Sequence, residues 1–269
     1  MSDRRKRVAG LTGVAAFKHL NANGPPHPAR VQIPKRLRNS VRCNPAEARI
    51  SQDRTLSSAS ASSLVGMTAK TPVEVDRLTI RPLATDTWPA FADLVARHNG
   101  VFGGCWCTWF HTLSRDKDRT YESNRDLKCR LVEEGRAHAA VVFDGDEAVA
   151  WAQFGPPDEL PNIHHRQEYE TGLLSPPDFR ITCIFVDRRY RRRGVAALAL
   201  HGALDLIAAA GGGAVEGYPH DLSKQPEGKK MSSSFLYNGT RAMYEEAGFT
   251  HERPKGQKNC VMKRTVAPA

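Results

Sequence analysis

Residues 181–210, ITCIFVDRRYRRRGVAALALHGALDLIAAA, decide how the rest of the chain is read. The apolar, β-branched run of Ile181, Thr182, Ile184 and Val186 has the composition of a buried strand. It stops at the charged turn Asp187, Arg188 and Arg189, after which Arg191-Arg192-Arg193-Gly194-Val195-Ala196 opens a long amphipathic helix. A strand, a basic glycine turn and a helix N-terminus turn several unpaired backbone N–H groups and the positive end of a helix dipole toward one point. A phosphate-like anion suits such a point. The expectation is therefore a phosphorylated ligand held at residues 191–196.

Spacing narrows which one. A dinucleotide fold asks for G-x-G-x-x-G and an acidic residue about 20 positions later, and the single Gly194 does not supply it. A Walker loop asks for G-x-x-x-x-G-K-[ST]. At Gly228-Lys229, Ser223 stands where the first glycine belongs and Lys230 where the hydroxyl belongs. The pattern that is met is [Q/R]-x-x-G-x-[G/A], by Arg191, Gly194 and Ala196. About 45 residues further on, residues 241–249 read RAMYEEAGF, with Gly248 suited to a helix C-terminal cap and Phe249 returning the chain to the core.

In these two motifs, in this order, the chain resembles the GCN5-related N-acetyltransferase (GNAT) superfamily, over roughly residues 73–263. The resemblance implies an α/β fold of the α+β type: a mixed, mainly antiparallel central sheet flanked by helices. It implies acetyl-CoA as cosubstrate, bound by Phe185, Val186, Arg191, Arg192, Arg193, Gly194, Val195 and Ala196. A backbone N–H within residues 184–186 would polarise the thioester carbonyl, and Tyr244 would return a proton to the departing sulfur; a tyrosine merely packed between helix and sheet is the alternative. The sequence departs from the superfamily seven residues before that tyrosine, where an Asn is usual: Tyr237 stands there and Asn238 follows one place late.

Acetyl transfer to an amine also needs a base. Glu216, on a short apolar strand, is the candidate, since desolvation raises a carboxyl pKa toward neutrality; a satisfied structural carboxylate is the other reading. Asp187 is expected to pair with an arginine of its own turn instead. His220 and Asp221 are candidate acceptor contacts, or an ordinary polar turn after Pro219.

Charge is unevenly spread. Residues 1–67 hold 12 Lys/Arg against 3 Asp/Glu, nine of the ten net positive charges of the 269-residue chain. The high pI thus belongs to the first quarter, and it does not make the whole protein a nucleic-acid binder. That quarter is rich in Arg, Ser, Pro and Ala and lacks periodic apolar residues, so residues 1–67 are expected to be a disordered basic extension ahead of a domain at 68–269. It reads as an upstream extension before a start at Met67; a basic tail for acidic partners and an organellar presequence are the alternatives.

No apolar stretch of ~18 residues suggests a membrane span, and six cysteines in a chain this long do not make a disulfide scaffold. A cytoplasmic protein, monomer or homodimer, is expected. Cys105, Cys107 and His111 could begin a zinc site, but four ligands are wanted and no second pair stands near, so no metal is expected. Trp106, Trp109 and Phe110 read as a hydrophobic wall, in the core or around the acceptor; His164 and His165 read as exposed loop. Residues 230–234, KMSSS, resemble a class I synthetase loop without its partner motif.

The pattern of elements places strands at 75–81, 139–143, 148–154, 181–186, 214–217, 250–253 and 259–264, with helices after residue 86 and at 121–134, 195–210 and 240–247. Three connections of about 20 residues, 98–115, 156–177 and 218–238, are long enough to be functional and are assigned to the acceptor side. The leading function is transfer of acetyl from acetyl-CoA directly to a small-molecule or peptide amine. The rivals are a non-catalytic acyl-CoA-binding or regulatory module, and a nucleic-acid-associated protein acting through the basic extension.

Overall fold

The computed structural model describes residues 75–113, 120–224, 231 and 235–269. The expectations for residues 1–67 and for most of the KMSSS segment lie outside the described residues. Seven strands form one sheet: β1 (Thr79–Pro82), β2 (His138–Asp144), β3 (Glu147–Gly155), β4 (Phe179–Val186), β5 (Gly213–Gly217), β6 (Thr250–Lys255) and β7 (Asn259–Val266). Their order is β1-β2-β3-β4-β5-β7-β6. Every neighbouring pair is antiparallel except β4 and β5. The parallel pair is required by the helix between them, α4 (Val195–Ala209), which carries the chain back across one face.

That face is built for close helix packing. Ala140, Ala150 and Ala152 lie in the same core cluster as Ala199, Ala203 and Ile207 of α4. A Cβ on Gly202 would stand 2.8 Å from the Ile80 side chain and 3.3 Å from Ala140. Mid-helix glycine costs about 1 kcal/mol against alanine; here the absent methyl lets the helix sit down on the sheet. The helix α5 (Arg241–Glu246) starts at Thr240, whose hydroxyl accepts from Met243 N, and packs on the same side.

The opposite face takes α1 (Trp88–Ala96) and α2 (Tyr121–Glu133). Phe91, Leu94 and Val95 of α1 fall at helical spacing and are fully buried. Phe91 meets Trp151 of β3 edge-on, ring centres 5.0 Å apart. The N-cap of α2 is Thr120, accepting from Ser123 N.

Three sequence expectations are corrected. Val75–Arg77 is a turn of 3₁₀ helix, and the first strand starts only at Thr79. The first helix begins one to two residues later than Thr85 or Asp86 would cap it; Thr87 precedes it, its hydroxyl tied to Ala84 N and Pro82 O. The connection 156–177 contains a short helix, α3 (Arg166–Thr171), whose one buried residue is Tyr169.

Candidate active site

β4 and β5 pair only at Phe179–Val215, Arg180–Glu216 and Ile181–Gly217. Beyond Ile181 the two strands part. The parting coincides with a bulge on β4: Cys183 faces Gln153 and Ile181 faces Phe154, which leaves Thr182 without an opposite residue. Asp187 N bonds back to Val149 O on β3, so the alternate amides of Ile184 and Val186 point into the gap. Ile184 N donates to the carbonyl of Tyr237 at 2.6 Å. Residues 184–186 thus turn backbone donors toward the gap, one of them held by Tyr237.

The basic turn lies at the same end. Asp187 is 3% exposed on its side chain and is held by Arg97 Nε at 3.2 Å, His98 Nε2 at 3.3 Å and Arg189 Nη2 at 3.0 Å, while Arg189 N donates to it at 2.9 Å. Burial opposes its charge, but hydrogen bonds from the Arg189 side chain and backbone, with His98 close by, outweigh it and hold the carboxyl below its ordinary range. Asp187 therefore anchors the turn to the end of α1, in line with the arginine pairing expected for it. Arg191 Nε donates to Val186 O at 3.0 Å, closing the turn on the strand end.

Arg192 and Gly194 both have left-handed backbone, φ 62° and 78°, and Gly194 precedes α4 with no side chain capping its N–H groups. Among the described residues nothing lies within 4 Å of where a Gly194 Cβ would be. Arg191, Arg192, Arg193, Gly194, Val195 and Ala196 therefore form one basic turn at a helix N-terminus that has no side-chain cap among the described residues.

Tyr244 lies at the base of the gap. It is 0% exposed, and among the described residues its hydroxyl has no hydrogen-bond partner. Its ring packs against Phe249 at 4.9 Å and under Gly217, the last paired residue of β5. Burial pushes the phenol pKa up, with Cys260 adding to it, so the hydroxyl keeps its proton. A buried unpaired hydroxyl costs ~1–3 kcal/mol, which marks this position as one where packing alone is not being served. Asn238, 3% exposed, donates to Tyr218 O at 3.2 Å, and its Oδ1 is also unpartnered.

Glu216 is placed apart from Tyr244. Gly217 faces Tyr244, so its neighbour Glu216 projects from the other side of β5. There it is 0% exposed; its Oε2 accepts from Tyr169 OH at 2.7 Å and from Tyr218 OH at 2.8 Å, and its Oε1 lies 3.5 Å from Lys263 Nζ. The two expected catalytic groups do not share a face of the sheet. His220 is buried, with Nδ1 3.2 Å from Asn259 Nδ2; burial, then Lys258 and Lys255, lower its pKa and favour the neutral ring. Asp221 is tied to Ser223 and Arg241, as a polar turn would be.

The long connections bring a cluster of aromatic rings together. Tyr237, which sequence reasoning noted only as a departure, has Phe102, Phe110, His164 and His220 rings centred within 5.7 to 6.4 Å. His164 stacks on Trp109 at 3.8 Å, so it belongs to this cluster and not to free loop, whereas His165 is exposed. Trp106 and Phe110 are core. Tyr237 and Asn238 carry no recognisable motif; only their place seven and six residues before Tyr244 could have drawn attention to them. Among the described residues no group of three or more His, Cys, Asp or Glu side chains could hold a metal, and no helix is long and apolar enough to cross a membrane.

Residues 91–217 match the family model described as Acetyltransferase (GNAT) family. No curated protein matches the chain. Among solved structures, the chain is similar to a GNAT-family acetyltransferase from Desulfovibrio desulfuricans, at 17% identity over 71% of this chain and 99% of that one, with TM-score 0.41. It is similar to the ribosomal-protein-S18-alanine N-acetyltransferase of Escherichia coli at 14% identity, over 71% and 96%, with TM-score 0.37. A third is the PaiA N-acetyltransferase of Thermoplasma acidophilum in complex with coenzyme A, at 12% identity over 70% and 98%, with TM-score 0.37. The β4 bulge, the parting of β4 and β5 and the glycine turn all fall inside the span matched by the family model, so residues 91–217 carry a GNAT-family acetyltransferase domain.

Proposed function

We propose that the protein transfers the acetyl group of acetyl-CoA directly to the amine of a small molecule or peptide. The observation that carries this reading is the gap where β4 leaves β5, with the partnerless Tyr244 hydroxyl at its base and the basic turn at its end. Residues 191–196 bind the pyrophosphate through backbone N–H groups and arginine charge. Residues 184–186 donate a backbone hydrogen bond to the thioester oxygen, which gains negative charge as the amine attacks; the bond from Ile184 to Tyr237 O is given up for it. As the C–S bond breaks, Tyr244 donates its proton to the sulfur, and the proton that the acylated nitrogen sheds passes to solvent, from which the phenol is later reprotonated.

Glu216 is given a positioning role in place of the base role expected from its sequence context. One of its oxygens already accepts two phenol protons and the other faces Lys263. His220 and the rings about Tyr237 contact the acceptor. The catalytic domain is assigned to residues 68–269, in the cytoplasm, with residues 1–67 an extension dispensable for turnover.

The test is release of free coenzyme A thiol from acetyl-CoA across a panel of small and peptide amines, alongside calorimetric binding of coenzyme A. Amine-dependent release supports the proposal. Tight coenzyme A binding with no release on any amine supports the non-catalytic acyl-CoA-binding module instead.

A further inference from the structure

Cys107 and Cys183 stand 76 positions apart in sequence, and their sulfurs are 2.6 Å apart. The two free thiols are thus in direct contact. Cys107 sits in the loop after α1, with left-handed backbone at φ 53°. Cys183 is on β4, directly between the bulged Thr182 and Ile184. Both are buried in the core cluster that holds Trp106 and Trp151.

A buried cation accompanies them. Lys128 of α2 is 0% exposed; its Nζ donates to Gln153 Oε1 at 2.6 Å and lies 3.1 Å from His111 Nε2. His111 Nδ1 lies 2.9 Å from Glu159 O, which fixes the proton on Nδ1 and leaves Nε2 to accept from Lys128. Gln153 Nε2 donates onward to Thr182 Oγ1 at 3.1 Å. Two of the three Nζ protons are thus used. The ammonium acts electrostatically on Cys107, Cys183 and Cys105. The acetyl-transfer reading uses none of these groups.

We propose that Cys107 and Cys183 are a redox modification site, which a hydroperoxide joins into a disulfide that staples the loop after α1 to β4 beside Ile184. In the first step one sulfur, as thiolate, attacks a peroxide oxygen. The O–O bond breaks, leaving a sulfenic acid and a hydroxide that leaves as water with the thiol's proton. The second sulfur then displaces the sulfenic oxygen, which leaves as a second water. Two thiols and one hydrogen peroxide give one disulfide and two waters, and the sulfurs lose the two electrons that the peroxide gains.

The two steps differ in what limits them. Burial, then contact with Cys183, pushes the Cys107 thiol up, and Lys128 opposes this. The first step is therefore slow at rest and relies on the buried ammonium and on opening of the loop. Asn99, Val101, Phe102, Trp106 and Cys107, none of them glycine, all hold left-handed backbone in that loop, a strained arrangement that opening relieves. The second step needs little movement, since the sulfurs already touch.

The test treats the full chain with hydrogen peroxide, alkylates remaining thiols under denaturing conditions, and maps the peptides with and without reductant. The expected product is the peptide holding Cys107 cross-linked to the peptide holding Cys183, lighter by two hydrogens than the sum and separated by reductant. Because Cys105 shares a peptide with Cys107, the Cys105→Ser variant is treated in parallel and should retain the cross-link. Alkyl label or sulfinic acid on both Cys107 and Cys183 without a cross-link would overturn the proposal, as would loss of the cross-link in Cys105→Ser.

Discussion

A Cβ on Gly217 would stand 2.0 Å from Cε1 of Tyr244, so the ring of Tyr244 occupies the space that the last paired residue of β5 leaves open. The glycine lets α5 press its tyrosine to the base of the gap. Gly217→Ala should displace that ring, costing ~1–3 kcal/mol as overpacking does, and turnover should fall with stability. A thermal melt and a turnover assay check both; an alanine variant with parent melting temperature and parent rate would show that the close fit is not required.

Gly194 precedes α4 with φ 78°, and no described residue lies within 4 Å of where its Cβ would be. Gly194→Glu should cost the free protein only the ~1–2 kcal/mol of a left-handed non-glycine residue. It should weaken coenzyme A by at least ~2 kcal/mol, because a carboxylate then stands where the pyrophosphate approaches. Calorimetric titration reads the second effect separately from the first, and equal affinity in both proteins would remove residues 191–196 from the binding site.

Lys255 is 2% exposed, donates to His164 O at 3.0 Å and lies over the Tyr218 ring. Burial lowers its pKa to about 8, against attraction from Glu168 and Cys260. An unfolded lysine keeps its proton to about 10.4. Between these values the unfolded chain binds more protons than the folded one, so this residue's contribution to stability rises with pH, by up to about 3 kcal/mol across the window. Below pH 8 the ammonium is charged in both states and the full cost of burying it remains. The stability of the parent minus that of Lys255→Met should therefore climb from pH 8 to 10; a flat difference in chemical denaturation would contradict it.

Glu216→Gln separates positioning from base catalysis. With Tyr169 and Tyr218 both donating to one carboxylate oxygen, the amide should loosen that knot and cost ~1–3 kcal/mol, while kcat stays within a few-fold. A kcat fall of ~10²-fold or more at unchanged melting temperature would instead restore the base role.

Much of the fold was legible because its signals are local. The β-branched run ending at Val186, the glycine turn at Gly194, the hairpin turn Asp144 to Glu147 and the Thr240 cap each announce an element within a few residues, and each element is found. The short helix Arg166–Thr171 was not legible, since six residues carry too little periodicity and Tyr169 alone points inward. The candidate site divides in the same way. Its basic glycine turn is contiguous, whereas the separation of Glu216 from Tyr244 depends on which face of β5 each meets, and the closeness of Cys107 to Cys183 depends on how a strained loop lands on β4. Contacts across 76 residues leave no mark on either segment alone.

The central claim is that Tyr244 gives its proton to the departing thiolate. Tyr244→Phe keeps the ring and its packing on Phe249 while removing a hydroxyl that has no partner among the described residues. A structural hydrogen bond is therefore not lost, and the melting temperature should hold or rise. The measurement is the single-turnover rate of acetyl transfer to the best amine of the panel, which is independent of product release. It should fall ~10²-fold or more, with affinity for acetyl-CoA nearly unchanged, because the interaction acts in the transition state. A phenylalanine variant that transfers acetyl at the parent single-turnover rate would contradict the account.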